Sequence, residues 1–341
     1  MAGASRSGRD YAPEMIEPLY REHAPTVRAL VYRMTGSVAD AEEIAQETFT
    51  RALTAPPGAV LGRNWLFAVA ANLARDRLRR RKRAGYVGPW LPEAMEAEAE
   101  PGSVDPEKRY GLSESASFAF LVALEPLTSR QRAVLLLRDV FDLSVEETAS
   151  VLRMGPGAVR VMHHRARAAL ADYDEERIPE ARERLGLVRG ALERLAAAVA
   201  TGDPARVEEV LAEHATLHAD GAGRFGAVRQ LIRGARSVAR FALFGQQRLA
   251  GIPSRRALVE NVNGAPALVV DSSPPPGLDV APRVVLTCDV DRAGRITTLY
   301  ALAAPEKVAR LLVSEGLGLH EVHHHGEGEH DHPRQRPHPV P

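Results

Sequence analysis

The stretch from Leu127 to Leu170 admits few folds. Thr128 followed by Gln131, and Ser144 followed by Glu147, each have capping-box spacing, in which a hydroxyl and the side chain three residues on satisfy orphan helix amides reciprocally. Two helices are therefore predicted to start near Ser129 and Val145. After Leu152 the run Arg153-Met154-Gly155-Pro156-Gly157 breaks the helix, and Pro156 suits the first turn of a new one, where a missing N–H costs nothing. A third helix is predicted from about Ala158 to Leu170. In it Val159, Met162, Ala166 and Leu170 recur at steps of three, four and four, which makes one inward stripe. Arg160, Val161, His164 and Arg165 are left facing outward. The pattern is a helix-turn-helix, and a basic outer face at the start of its last helix is what major-groove readout requires, since arginine bonds a guanine edge bidentately. The plainer alternative is a solvated face in an all-α bundle; clustering of the basic residues on the motif helix favours DNA.

At 341 residues the chain has room for two or three domains, each burying a core. Its 44 basic and 44 acidic residues leave no net charge, so contact with nucleic acid has to come from local segregation of charge. Cys288 is the one cysteine, which excludes an internal disulfide and fits a reducing compartment. No signal-peptide pattern and no apolar run of membrane-spanning length occurs. The expectation is a cytoplasmic protein without membrane contact.

Residues 1–13 are small and polar. From Glu14, the residues Leu19, Val27, Leu30, Val31 and Met34 have helical spacing, with an interruption expected at Pro25 and an end at Thr35-Gly36-Ser37. Asp40 and Glu43 again have capping-box spacing. The helix they open turns Ile44, Ala45, Thr48 and Phe49 inward and Glu42, Glu43, Gln46 and Glu47 to solvent. Acids near a helix start are favoured by the macrodipole, which alone accounts for such a face. Beyond the loop Pro56-Pro57-Gly58, a helix over Trp65 to Arg83 begins apolar and ends almost wholly basic from Arg75. Such a run concentrates positive charge where phosphates can lie.

These motifs, Asp40 to Phe49, the Trp65-Leu66 helix with Asn72 and its arginines, and the Leu127 to Leu170 unit with His164-Arg165-Ala166-Arg167, resemble the extracytoplasmic-function group of bacterial RNA polymerase sigma factors, over roughly Glu14 to Ala171 without the linker. The resemblance implies a first domain, 14–83, that grips polymerase and opens the minus-ten element, and a second, 118–172, that reads the minus-thirty-five element. It implies that Glu43, Gln46 and Glu47 contact the clamp helices of the largest subunit of core polymerase. It places Asn72 near the melted strand, with Arg75, Arg77, Arg79 and Arg80 as phosphate contacts, and Arg160, Val161, His164 and Arg165 in the major groove of promoter DNA. Capture of a single strand needs base pockets beside a basic track, and both fall on or before this helix.

The segment 84–117 is rich in Gly, Pro and acids, a composition expected to stay flexible. Trp90-Leu91-Pro92-Glu93 departs from it and suggests a docking peptide. After a polar boundary at Asp172 to Arg184, helices are predicted at Leu187–Ala200 and Val207–Leu211, then strands at Thr216–Ala219, Leu258–Val262, Ala267–Asp271, Val284–Val290 and Ile296–Leu302. Asn263-Gly264 and Asp291-Arg292-Ala293-Gly294 are the hairpin turns. Helices first and a curved antiparallel sheet after them make an α+β cone, 186–315. The tail 316–341 is rich in His, Gly, Glu and Pro and is expected to be disordered, with metal binding the alternative that such a composition offers.

The cone resembles the SnoaL/NTF2-like fold shared by nuclear transport factor two, ketosteroid isomerase and polyketide cyclases. His218 to Arg224 is similar to the Asp-Gly-Gly-Gly-Lys/Arg motif of sigma factors that carry such a domain, Trp90 to Glu93 to their linker motif, and Ala304-Pro305-Glu306-Lys307-Val308 to their Asn-Pro-Asp-Lys-Leu, with alanine replacing the asparagine. The resemblance implies that Trp90, Leu91, Pro92, Glu93, Asp220, Gly221, Gly223 and Arg224 regulate the sigma domains, and that no dedicated anti-sigma protein is required. His218 and Asp220 share a strand face and, with Glu260 nearby, have the makings of an acid/base pair, but an Asp-Gly-x-Gly run is first of all a turn. The fold class expected is multidomain: two all-α domains that bind polymerase and DNA, the second a helix-turn-helix, plus a C-terminal α+β cone. Neither a cofactor, a metal nor a catalytic residue is expected. The second reading is a DNA-binding regulator fused to a small-molecule isomerase or cyclase; the Asp40 to Phe49 motif separates the two, since a repressor has no use for a clamp-binding helix.

Overall fold

The computed structural model describes residues 13–56, 58–86, 89–96, 110–176, 181–225 and 230–311. Three helices form the first unit: α1 (Pro13–Thr35), α2 (Val38–Leu53) and α3 (Arg63–Ala84). Pro25 does not interrupt α1. The cap of α2 differs from the expected Asp40–Glu43 box: Ser37 is the N-cap and accepts from the Asp40 amide, so Glu43 is free to bond elsewhere.

The second unit comprises α4 (Leu112–Ala116), α5 (Phe118–Ala123), α6 (Ser129–Asp139), α7 (Val145–Leu152), α8 (Pro156–Ala169) and α9 (Ala171–Glu176). Thr128 with Gln131 and Ser144 with Glu147 close capping boxes at α6 and α7. Arg153 ends α7 in the left-handed region, and Pro156 opens α8. Val159, Ala166 and Leu170 are buried and Met162 packs beside them, as the stripe requires.

The two helical units share one continuous core. Phe67 of α3 meets Phe141 edge-on at 5.5 Å. Arg63 donates to the Phe141 carbonyl at 2.6 Å, the Arg33 guanidinium to the Ser115 hydroxyl at 2.7 Å, and Arg132 to the Met34 carbonyl at 2.8 Å.

The third unit opens with α10 (Ala181–Ala200) and α11 (Pro204–Val210), followed by β1 (Leu211–Asp220), β2 (Ile232–Arg233), α12 (Ala235–Leu249), β3 (Ser254–Val262), β4 (Ala265–Ser272), β5 (Arg283–Val290), β6 (Ile296–Leu302) and α13 (Pro305–Val308). The sheet order is β2-β1-β6-β5-β4-β3. It is mixed, not antiparallel as expected, because α12 carries the chain to the far edge and the β3–β6 meander returns to lay β6 parallel to β1. The helix α12 was not anticipated, although Val238, Ala239 and Leu243 form its buried stripe. The Asn263-Gly264 turn has positive φ at both residues, 53° and 77°, as a two-residue hairpin demands. One sheet face packs on α10, α11 and α12; the other receives Leu91 and Phe118 from the preceding units. The tail 316–341 lies outside the described residues.

Candidate functional site

On α2, Glu43 and Gln46 are exposed and Glu47 is partly so. Two of these acids have partners: the Arg77 guanidinium donates to Glu43 at 2.6 Å and to Asp40 at 2.7 Å, and Arg51 to Glu47 at 2.8 Å. Glu42 on the same face pairs with Arg310 just beyond α13, at 2.6 Å. The acidic face therefore carries internal pairs and one contact from the C-terminal unit. Apart from the Arg77–Asp40 contact, whose carboxylate is largely enclosed, these pairs are exposed enough to exchange partners at small cost.

The arginine run on α3 is not uniform, which corrects the expectation of a phosphate track from Arg75 onward. A helix turns one face inward every three to four residues, and Ala71, Ala74 and Leu78 hold that face against the core. Arg75, i+4 from Ala71, is therefore buried and donates to Asn72 Oδ1 at 3.1 Å; burial first, then the Arg130 and Arg79 charges, push its pKa down. Arg77 is committed to Asp40 and Glu43, and Arg81 to the Thr35 carbonyl and the face of Trp90. Arg79 pairs with Asp76 on the surface. Arg79, Arg80, Lys82 and Arg83 are the exposed cations.

On α8, Arg160, Val161, His164 and Arg165 are all exposed. Val161, 51 % accessible, is an apolar residue at the centre of a basic face, which suits a thymine methyl. Arg160 reaches only a loose contact with Glu146 at 3.5 Å. Behind this face His163 bonds Asp139 at 2.6 Å and ties α8 to α6.

The linker is ordered at its motif, where Trp90 to Glu93 stands apart from the flexible composition of 84–117 as a docking peptide would. Residues 97–109 of that segment lie outside the described residues. Leu91 and Pro92 are buried. The Leu91 amide donates to Asp220 Oδ2 at 2.8 Å, the Tyr86 hydroxyl to Oδ1 at 2.6 Å, and the Lys307 ammonium both to Oδ2 at 2.7 Å and to the Leu91 carbonyl at 2.6 Å. Burial lowers the Lys307 pKa and the Asp220 charge opposes that shift. Glu93 faces the other way. Its amide donates to the Gly36 carbonyl at 2.8 Å, and its carboxylate accepts from Ser37 Oγ and the Val38 amide, both at 2.7 Å, at the positive end of α2. Trp90 lies between the Arg81 and Lys307 cations at 4.3 and 4.9 Å and over Gly36, where a Cβ would collide with its ring. The Asn263 amide nitrogen, on the hairpin of the cone, donates to the Tyr32 hydroxyl and to the Glu93 and Ala116 carbonyls. The tetrapeptide thus joins the first unit to the cone, and Asn263 ties the second unit to the same point.

Of the regulatory residues expected, Trp90 to Glu93 and Asp220 meet directly. Gly221 is buried in the turn, while Gly223 and Arg224 are exposed, and Arg224 pairs with Glu306 at 2.5 Å. Lys307, Tyr86, Asn263, Tyr32, Arg81 and Gly36 were not anticipated as anchor residues. The one sequence signal was Lys307, inside the Ala304 to Val308 motif. The acid/base pair suggested for His218 and Asp220 has no free carboxylate, because both Asp220 oxygens are taken, and His218 stacks on Tyr300 at 5.6 Å. The Glu260 side chain lies outside the described residues.

Two packed helical units, the second a helix-turn-helix with an exposed basic face, plus an α+β cone clasping their linker, define a DNA-binding factor with a fused accessory domain. The comparisons with known proteins specify which. Residues 19–84 match the family model Sigma-70 region 2, and residues 117–170 match Sigma-70, region 4. The ECF RNA polymerase sigma factor SigJ of Mycobacterium tuberculosis (strain ATCC 25618 / H37Rv) is 33 % identical over 302 residues, covering 84 % of this chain and 90 % of that protein. The chain belongs to the ECF RNA polymerase sigma factors, and with that come transcription initiation, DNA binding and RNA polymerase binding. The crystal structure of M. tuberculosis SigJ superposes with a TM-score of 0.62 at 30 % identity, over 86 % of this chain and 97 % of that one, so the cone belongs to the shared architecture and is SnoaL/NTF2-like.

One expectation is corrected. The solved structures that the chain resembles include sigma factor RpoE in complex with the anti-sigma factor NepR from Bartonella quintana (21 % identity, 47 % of this chain and 96 % of that one, TM-score 0.36) and CnrH in complex with the cytosolic domain of CnrY (24 %, 48 % and 89 %, 0.34). Both of those sigma factors are bound to a separate protein, and the expectation that no dedicated anti-sigma protein is required is withdrawn.

Proposed function

We propose that this sigma factor docks on core polymerase through Glu43, Gln46 and Glu47 of α2, lays melted promoter DNA along Asn72 and the exposed cations Arg79 and Arg80, and reads the upstream element with Arg160, Val161, His164 and Arg165. The setting is the bacterial cytoplasm, where polymerase works. The cone regulates these steps by holding the linker. What supports this reading most is the anchor at Trp90 to Glu93, which bonds α2 and the cone simultaneously, while Asn263 of the cone bonds both the Glu93 and the Ala116 carbonyls.

The compact arrangement is the unengaged one. Elements named for positions ten and thirty-five lie about 25 base pairs apart, or about 85 Å at 3.4 Å per base pair, whereas α1, the longest element joining the two helical units, spans about 35 Å at 1.5 Å per residue. Reading both elements together thus requires the shared core around Phe67 and Phe141 to part, with the linker extended. A contact that is lost on engagement biases the equilibrium against it, and the anchor is such a contact.

The test is a titration of core polymerase against the full chain carrying Glu43→Lys and Glu47→Lys. Both acids are surface groups, so the fold should survive within about half a kcal/mol. Affinity should fall at least tenfold. Unchanged affinity would remove α2 as the docking face.

A further inference from the structure

The cone encloses a cavity of about 200 Å³ between α10, α12 and the inner face of the sheet. Its walls are apolar: Leu195, Val199, Leu217, Phe241 and Leu299 among them, with Phe244, 47 % exposed, at the mouth. An apolar cavity of about 150 Å³ stays dry and admits a single ring, so this one takes a molecule of one ring or a small fused pair. The charged groups beside it are already satisfied. Arg248 donates to the Asp279 carbonyl and lies 3.7 Å from its carboxylate, and both Asp220 oxygens are bonded. Among the described residues no unpaired charge lines the cavity to compensate an ionised ligand, whose burial would be costly.

Two features connect this cavity to the linker. Ala219 and Asp220, the last residues of β1, both border it; successive residues of a strand face opposite sides, and the Asp220 side chain is committed outward to Leu91, Tyr86 and Lys307. Phe225 also lines the cavity and closes the same turn, at a φ of 59°. For a bulky residue the left-handed region is an outlier, of the kind that packing sustains and that marks a switch segment. The turn from Asp220 to Phe225 therefore has one end on the linker anchor and the other on the cavity wall.

We propose that the cone cavity is a binding site for a small, uncharged, apolar molecule, and that its occupancy shifts the Asp220 to Phe225 turn and so changes how firmly Trp90 is seated. This deepens the regulatory reading above and rests on the anchor contacts. The chemistry it predicts is hydrophobic capture, in which shape and size select the ligand and no covalent step occurs.

The chain offers its own reporter. It has two tryptophans, Trp65 and Trp90, so in full-length Trp65→Phe the emission comes from Trp90 alone. The probe is 1-adamantanol, which is rigid, uncharged and transparent where tryptophan is excited. The expected result is a saturable change in Trp90 emission. A filling variant provides the control: Gly245 borders the cavity, and a Cβ there meets nothing within 4 Å, so Gly245→Leu enters open space on a helix where leucine is the better former. It should weaken the response at least tenfold while leaving the circular dichroism intact. Should Gly245→Leu perturb the fold, Ala242→Leu, on the same wall, serves in its place. Absence of a saturable signal for the probe by ligand-observed NMR would overturn the site. Saturable NMR binding with unmoved Trp90 emission would overturn the coupling. No polymerase is present, so failure here is distinct from failure of α2 docking.

Discussion

The Lys307 ammonium sits 2.7 Å from the Asp220 carboxylate, with the lysine side chain 9 % accessible and the aspartate fully enclosed. A charge pair so placed is held by its hydrogen bonds as much as by its attraction, since the carboxylate also accepts from Tyr86, Leu91 and Ala222. Removing one partner strands the other. Asp220→Ala should cost about 3–5 kcal/mol, the range for an uncompensated buried charge, while Asp220→Asn with Lys307→Met should recover more than half of that. Denaturant unfolding of the full chain measures both. A loss under about 1 kcal/mol for the alanine variant would mean that the pair is far better hydrated than its burial indicates.

Gly36 makes a sharper test of linker seating. Its φ of 66° is in the left-handed region, and a side chain there would overlap the Trp90 ring. Backbone strain alone costs about 1–2 kcal/mol, and the collision adds to it locally. Gly36→Ala should therefore unseat Trp90, visible as a red shift and easier quenching of its emission, with helix content unchanged. Gly62→Ala is the control, because its Cβ meets nothing. Equal emission from the two variants would show that Trp90 does not depend on Gly36.

Acid should loosen the cone. Burial first, and the Arg233 charge second, lower the His218 pKa from 6.5 to about 4. Arg233 faces it from β2 and Tyr300 from β6. Folded His218 then binds fewer protons than unfolded His218 between about pH 4 and pH 6.5, so stability falls as pH falls through that window and is fully present above it. Because the ring is only partly buried, the contribution is on the order of 2 kcal/mol. His218→Gln should flatten the pH dependence of the denaturation midpoint across that window. An unaltered slope would assign the acid lability to other groups.

How much of this was legible in the sequence depends on the range of the interactions. The capping boxes at Thr128 and Ser144, the break at Gly155-Pro156 and the Asn263-Gly264 turn are local chemistry, settled within four residues, and each formed as the spacing required. Arg75 and Arg77 were misread because a run of like residues hides the 3.6 period: the outward Arg79 and Arg80 alternate with inward neighbours, and only the helices beside them decide which is which. The linker was legible in part, since Trp90 to Glu93 stand out from it as a docking peptide while the partners of Glu93 do not. Its composition is that of a disordered tether, but Leu91 borrows a core from the cone, Glu93 borrows a helix end from α2, and neither partner is near in sequence. The parallel pairing of β1 with β6 was likewise invisible, since α12, which lies between them in the chain, sets the direction.

The α8 face yields the last expectation. Arg160 and Arg165 are exposed, and among the described residues the single contact that an acidic residue makes with either is the 3.5 Å approach of Glu146 to Arg160, with both side chains of that pair more than half accessible. Exposed pairs of this kind contribute little, so the guanidinium is available to DNA without a prior bond to break. Val161 between them offers an apolar surface and no donor. Replacing Arg160 or Arg165 with alanine should leave stability within about half a kcal/mol and, for a base-contacting arginine, cost about 1–3 kcal/mol of promoter affinity with relaxed preference at one position. Loss spread evenly over all sequences, with a salt slope smaller by about one, would instead make the residue a phosphate contact. Val161→Ala separates the two cases on the same helix, because a side chain without charge cannot alter the salt slope: its loss should appear as reduced discrimination for thymine alone. Binding of the holoenzyme to a library of single-substitution promoters, repeated at two salt concentrations, reads all three variants. Indifference of every variant at every position would remove α8 as the reading helix.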